Sequence, residues 1–229
     1  MIAGLAYWLL VLAEGVYFGS RVVCMLYDWT AGRYEAIKRF DPYYERRLLG
    51  EPLATALQHF HHPMLLDVAA GTGRLARALI STGEFDGTII ALDRSRRMLK
   101  EGVRRSEGLG PYVTFIQGDA MRLPFADEAF EAVTCLEALE FMPDMRDALK
   151  EMIRVLKPGG LLTITNRKGG ARFYMPGHVT SPEALQASLM ALGMRKANVA
   201  RWQVDYDLVF ARKSTEGVPV RSASGEGAK

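Results

Sequence analysis

Three acids and one glycine-rich turn carry most of the chemistry in this sequence. The stretch Leu65-Leu66-Asp67-Val68-Ala69-Ala70-Gly71-Thr72-Gly73-Arg74-Leu75-Ala76 passes from an apolar run through small residues into a helical pattern. Glycine lets the backbone turn tightly and lets a ligand approach the main chain. Asp93 follows Gly73 by 20 residues, at the end of the next apolar run. A carboxylate there can accept from both hydroxyls of a ribose. Turn and acid together point to an adenosine-containing ligand at the carboxyl ends of parallel strands. Gly71-x-Gly73-x-x-Ala76 also meets the dinucleotide fingerprint. A nicotinamide-dependent oxidoreductase therefore stands as an alternative, as does a non-catalytic module that has kept the fold.

Three further features narrow the ligand. Asp67 sits just before the turn, where it opposes a pyrophosphate and suits a cationic amine. Gly118-Asp119-Ala120 and then Leu123-Pro124-Phe125 follow the third apolar run, placing an acid where an adenine amino group can be read. Leu156-Lys157-Pro158-Gly159-Gly160-Leu161 leads into the fifth. With these in order, the sequence resembles the class I S-adenosylmethionine-dependent methyltransferases, especially the branch containing the quinone-biosynthesis C-methyltransferases. The resemblance covers roughly residues 27–212. The family's first motif glycine is Ala69 here.

The resemblance implies cofactor contacts from Asp67, Ala69, Gly71, Thr72, Gly73, Asp93, Arg94, Asp119, Ala120, Leu136 and Tyr34. Asp93 would hold the ribose, Asp119 and Ala120 would border the adenine, and Leu136 and Glu137 would face the reacting end. Tyr27-Asp28…Tyr34 is similar to the aromatic segment that closes over the cofactor in this family. The implied reaction is in-line methyl transfer from S-adenosyl-L-methionine to a small, lipophilic or quinone-like acceptor. A sulfonium is already activated, so alignment and exclusion of water are the protein's main tasks. If the acceptor must lose a proton, Glu137, Glu140 and His178 are the substrate-side candidates for a catalytic base. His59, His61 and His62 lack a nearby cysteine or acid to complete a metal site, and no metal is expected.

These residues need a scaffold of alternating elements. Strands are expected at 64–69, 88–92, 113–117, 129–136 and 161–166. Helices are expected at 74–81, 96–105, 145–156 and from Ser181 to about Leu192, with Ser95 and Ser181 as caps. Two extended stretches near 195–203 and 207–212 suggest an antiparallel hairpin at the sheet edge. The pattern predicts an α/β fold with a doubly wound, seven-stranded, mostly parallel sheet, of the Rossmann-like methyltransferase type. A helical connector over 28–60 precedes a domain over 61–212. A tail over 213–229, rich in Gly, Ser and charge, is expected to be disordered.

Composition sets the remaining bounds. The chain has 229 residues, 49% of them hydrophobic and 24% charged, with a net charge of +3. This excludes wholesale disorder and a polytopic membrane protein, and is too mild to argue nucleic acid. Two cysteines make no disulfide framework and suggest a reducing, cytoplasmic setting. Mean hydropathy is essentially zero, but residues 1–27 hold only Glu14 and Arg21 as charges. As one apolar helix, Ile2–Leu26 would reach about 37 Å. That length suits a membrane-spanning anchor, an interfacial helix or a cap on the domain. Basic residues follow the apolar run, so an attachment would leave the domain on the cytoplasmic face.

Overall fold

The computed structural model describes residues 2–195 and 197–215. Seven strands form one sheet: β1 Met64–Val68, β2 Thr88–Asp93, β3 Val113–Gln117, β4 Phe130–Cys135, β5 Leu156–Arg167, β6 Asn198–Arg201 and β7 Tyr206–Arg212. Their order is β3-β2-β1-β4-β5-β7-β6. The first five are parallel, and β7 inserts antiparallel between β5 and β6. The chain runs outward from β1 to β3, then returns to add β4 and β5 on the other side. The reversal opens a crevice beyond the carboxyl ends of β1 and β4, where open α/β sheets bind ligands.

The central strands are apolar because helices cover both faces. Side chains alternate along β1: Leu66 and Val68 enter one core with Met152 and Leu185, while Leu65 enters the other with Leu53 and Leu79. The covering helices include α5 Glu51–Leu57, α6 Arg74–Ile80, α7 Arg96–Arg105, α8 Met145–Val155 and α10 Pro182–Ala191, with the short α9 Ala171–Tyr174 after β5. Ser95 accepts from the Met98 amide at 3.0 Å and Ser181 from the Ala184 amide at 3.2 Å, so both serines cap the helices they were expected to cap.

The N-terminal segment departs from expectation. It is two helical pieces rather than one apolar helix over 1–27. Helix α1 Ile2–Tyr7 continues as a π-helical turn to Leu12, and α2 begins afresh at Ser20 and ends at Thr30. Left-handed backbone at Glu14 (φ 49°) and Gly15 (φ 74°), and a further positive φ at Gly19 (84°), break the run. Among the described residues no helix is long and apolar enough to cross a membrane. Glu14 turns inward instead: it accepts from the Tyr27 hydroxyl at 2.8 Å and lies 3.6 Å from Arg167. The connector continues as α3 Tyr34–Lys38 and α4 Pro42–Glu45 before α5.

Two other boundaries shift. Strand β5 starts at Leu156, five residues earlier than expected. Its Pro158-Gly159-Gly160 turn is held in pairing because the Gly159 amide donates to Lys213 O and the Lys213 amide to Gly160 O. That pairing also orders the start of the expected disordered tail. Lys213 Nζ donates to the Ile153 and Leu156 carbonyls. The rest of the tail, 216–229, lies outside the described residues.

Candidate active site

The glycine turn leaves β1 through Ala69, whose φ of 56° is left-handed, and then through Gly71 at 55° and Gly73 at 73°. An alanine in that region costs about 1–2 kcal/mol, so this turn stores strain next to the crevice. Gly73 caps α6, and a Cβ there would lie 2.7 Å from the Phe115 ring. Asp93 ties this turn to the next one. Its Oδ2 accepts from the Gly71 amide and its Oδ1 from the Ser95 amide, both at 2.8 Å. Burial raises its pKa against those hydrogen bonds. The Arg94 amide also bonds this carboxylate, which still leaves acceptor capacity for a further donor.

A cleft of about 810 Å³, counted out to its mouth, extends from Asp93, within the range of small-molecule sites. Ala69, Gly71, Asp93, Arg94, Asp119, Ala120, Leu136, Glu137 and Tyr34 all line it. Helix α2 forms its lid with Ser20, Val23, Cys24 and Tyr27. The lid is fastened at both ends: Arg94 donates to Ser20 Oγ at 2.8 Å, and the Asp28 carboxylate accepts from Ser95 Oγ. Aromatic rings wall the inner end, with Tyr27 centred 5.8 Å from Tyr34 and 5.9 Å from Phe141. Burial pushes both tyrosine phenols above their ordinary pKa.

A smaller recess of about 360 Å³ adjoins the cleft and shares Tyr34, Ala69, Gly71, Leu136 and Glu137 with it. Asp67, Thr72 and Arg74 complete its wall. Asp67 is 2% exposed and takes one hydrogen bond, from Thr134 Oγ1 at 2.7 Å. Burial lifts its pKa to about 7, with that bond pulling the other way. Arg74 lies 4.0 Å over the Phe40 ring and donates to Glu137 at 2.8 Å, while its Nη1 is buried with no hydrogen-bond partner among the described residues.

Glu137 is buried in left-handed backbone at φ 51°. Burial opposes its charge, but Arg74 and Lys38 outweigh that and hold its pKa below the ordinary value. Gln203 also donates to it, at 3.2 Å. Of the three base candidates, Glu137 alone lines the cleft. Glu140 is 2% exposed, takes a hydrogen bond from Tyr206 and sits 3.3 Å from Arg167. His178 Nδ1 lies 3.0 Å from the Glu140 carbonyl. Those two share a separate small cavity with Asn166 and Arg167.

Gly73 lines neither the cleft nor the recess and sits at the start of α6. The site residues missed from the sequence are the lid side chains Val23 and Cys24, Met98, Ser95 as a cleft residue as well as a cap, and Arg74 and Lys38 as the partners of Glu137. Ser95 had a signal in its capping position. The ion-paired group had none, because Arg74 and Glu137 are 63 residues apart. His59, His61 and His62 precede β1 at the opposite end of the sheet from the cleft.

The sheet order and the helices on both faces are those of the Rossmann-like methyltransferase fold. A solved structure described as a SAM dependent methyltransferase from Aquifex aeolicus matches with a TM-score of 0.57 at 22% identity, over 76% of this chain and 98% of that one. The [4+2]-cyclase SpnF matches with a TM-score of 0.65 at 20% identity, over 86% of this chain and 97% of that one. Residues 66–164 match a family model described as a methyltransferase domain. Curated relatives of similar sequence come from quinone biosynthesis. The demethylmenaquinone methyltransferase of Thermobifida fusca is 36% identical over 145 residues, 63% of this chain and 60% of that protein. The ubiquinone/menaquinone biosynthesis C-methyltransferase UbiE of Bartonella henselae is 39% identical over 101 residues, 43% of this chain and 39% of that protein. The chain thus spans about 60% or less of the length of these relatives.

Proposed function

We propose that this chain is an S-adenosylmethionine-dependent methyltransferase acting in line on a small, lipophilic, quinone-like acceptor. The observation that carries the reading is the pairing of two half-sites across one crevice. Asp93 lines the cleft with acceptor capacity left for a ribose hydroxyl, and the adjoining recess offers both a buried acid and, among the described residues, an unpartnered guanidinium nitrogen. Asp67 would take the ammonium of the amino-acid end and Arg74 its carboxylate. Asp119 and Ala120 would border the adenine, beside Arg94. A buried acid under the glycine turn disfavours a pyrophosphate, which weighs against the nicotinamide alternative.

The bound cofactor would supply a methyl group already activated on sulfur. What the chain adds is position and dryness. Tyr27, Tyr34 and Phe141 wall the reacting end with aromatic surface that leaves little room for water. Glu137, pinned by Arg74, Lys38 and Gln203, acts as a fixed negative charge facing a cationic donor rather than as a proton acceptor. The names of the quinone-biosynthesis relatives and the aromatic walls support the acceptor class. An acceptor of that class resides in lipid, so the proposal includes contact with a membrane surface. Cys24 and Cys135, both free thiols, fit a reducing, cytoplasmic setting.

The test is transfer of labelled methyl from S-adenosylmethionine to a reduced naphthoquinone that has an open ring position and a short side chain. The expected result is label in the extracted quinone. Absence of label from protein that binds S-adenosylhomocysteine would overturn the acceptor and leave the cofactor reading standing.

A further inference from the structure

The lid has two faces with opposite character. Val23 and Tyr27 on its inner side line the cleft. Arg21, Met25 and Trp29 follow one another at intervals of four on its outer side, with Met25 61% and Trp29 80% exposed. Arg33 and Ile37, both exposed, continue at the same interval across the turn Ala31–Arg33 and into α3. The Asp28 carboxylate also accepts from the Arg97 amide at 3.3 Å, which seats α2 against the start of α7. This places the exposed Arg96, Arg97 and Lys100 beside the lid. Arg21, Arg33, Arg96, Arg97 and Lys100 have no carboxylate partner among the described residues. The acids of the same elements are engaged: Asp28 with Ser95, Glu35 with Arg77 and Arg105, and Glu101 with Arg104 and Arg105. The lid therefore presents a basic, aromatic-bearing apolar surface to the outside.

We propose that this outer face of α2 and the turn after it rests on an anionic lipid surface, and that the acceptor enters the cleft from that surface past the lid. The proposal rests on the methyl-transfer reading for its purpose. Indole and thioether side chains among arginines suit the headgroup boundary, where apolar parts insert and cations meet phosphate. A second copy of this chain would cover the apolar residues but would bring the same uncompensated arginines to the contact. The approach to the lid adds exposed Leu10, Val11, Leu12 and Phe18.

The experiment is sedimentation of the full chain with vesicles of equal parts phosphatidylglycerol and phosphatidylcholine, against phosphatidylcholine alone. Met25→Ser/Trp29→Ser and Arg21→Gln/Arg33→Gln are compared with the wild type, their folding checked by the thermal midpoint. The wild type should pellet with the anionic vesicles, and each double variant should bind about tenfold more weakly or worse. Methyl transfer in the variants should fall for an acceptor embedded in vesicles and stay unchanged for a short-chain acceptor in solution. Equal pelleting of wild type and variants, or none by the wild type, would overturn the proposal. So would a concentration-dependent dimer that the Met25→Ser/Trp29→Ser substitution abolishes without any vesicle binding. Failure of the methyl-transfer reading would show separately, as absent transfer in solution with vesicle binding intact.

Discussion

Asp67 is the residue through which pH should reach the site. The folded chain releases its proton near pH 7, whereas an ordinary aspartate does so near 3.8. Between those values the folded state holds more protons than the unfolded one, so this group's contribution to stability falls as pH rises and is level above about 7. A cation in the recess favours the carboxylate. Asp67 is about half protonated at neutral pH, so binding a ligand with an ammonium group there should expel up to about half a proton. The binding heat of S-adenosylhomocysteine should then vary with the ionisation enthalpy of the buffer, and Asp67→Asn should remove the variation. A buffer-independent heat in the wild type would contradict the assignment. At this scale the positions of the acids were legible, since Asp67 and Asp93 lie at the carboxyl ends of β1 and β2 and Asp119 just after β3, strands that announce themselves. The partners that fix charge states were not. Nothing local in the sequence says that Arg74 meets Glu137, or that Glu140 is consumed by Tyr206 and Arg167.

Among the elements, the lid is tied to the sheet domain by small polar fastenings at Ser20 and Asp28, with Tyr27 bound to Glu14 between them. Asp28→Ala should free the carboxyl end of α2 from the cap of α7 and cost about 1 kcal/mol of cofactor affinity, roughly fivefold. Stopped-flow measurement should place the change in the dissociation rate. An unchanged rate would mean that α2 does not gate the cleft. The five parallel strands were legible within one or two residues, β5 apart, because apolar runs covered on both faces have few other homes. The lid's independence was not. The low charge of residues 1–27 suggests a single apolar helix, and the break falls at Gly15 and Gly19. The place of β7 between β5 and β6 depends on pairing across distant sequence, which no periodicity reports.

For the whole molecule, the nearly uncharged N-terminal segment is bound back to the domain by its single acid. Glu14 joins the Tyr27 hydroxyl to Arg167 at the end of β5, and Ala13 and Val16 pack on Met175 beside it. Arg167 keeps only 9% of its side chain exposed and Glu14 27%. Glu14→Ala should therefore cost about 1–2 kcal/mol, below the figure for a fully buried pair, seen as a lower denaturation midpoint in urea. No change would mean that the segment is held by apolar contacts alone. Segment, lid and sheet together enclose a single crevice, and the central claim is that it accepts the adenosyl and amino-acid ends of one cofactor. Titration calorimetry with S-adenosylhomocysteine on the wild type and Asp93→Ala tests this most directly. The account predicts saturable one-to-one binding, undisturbed by excess NAD and weakened by about 1–3 kcal/mol in the variant, because the ribose hydroxyls lose their acceptor. No heat from folded wild-type protein, displacement by NAD, or equal affinity in the variant would contradict it.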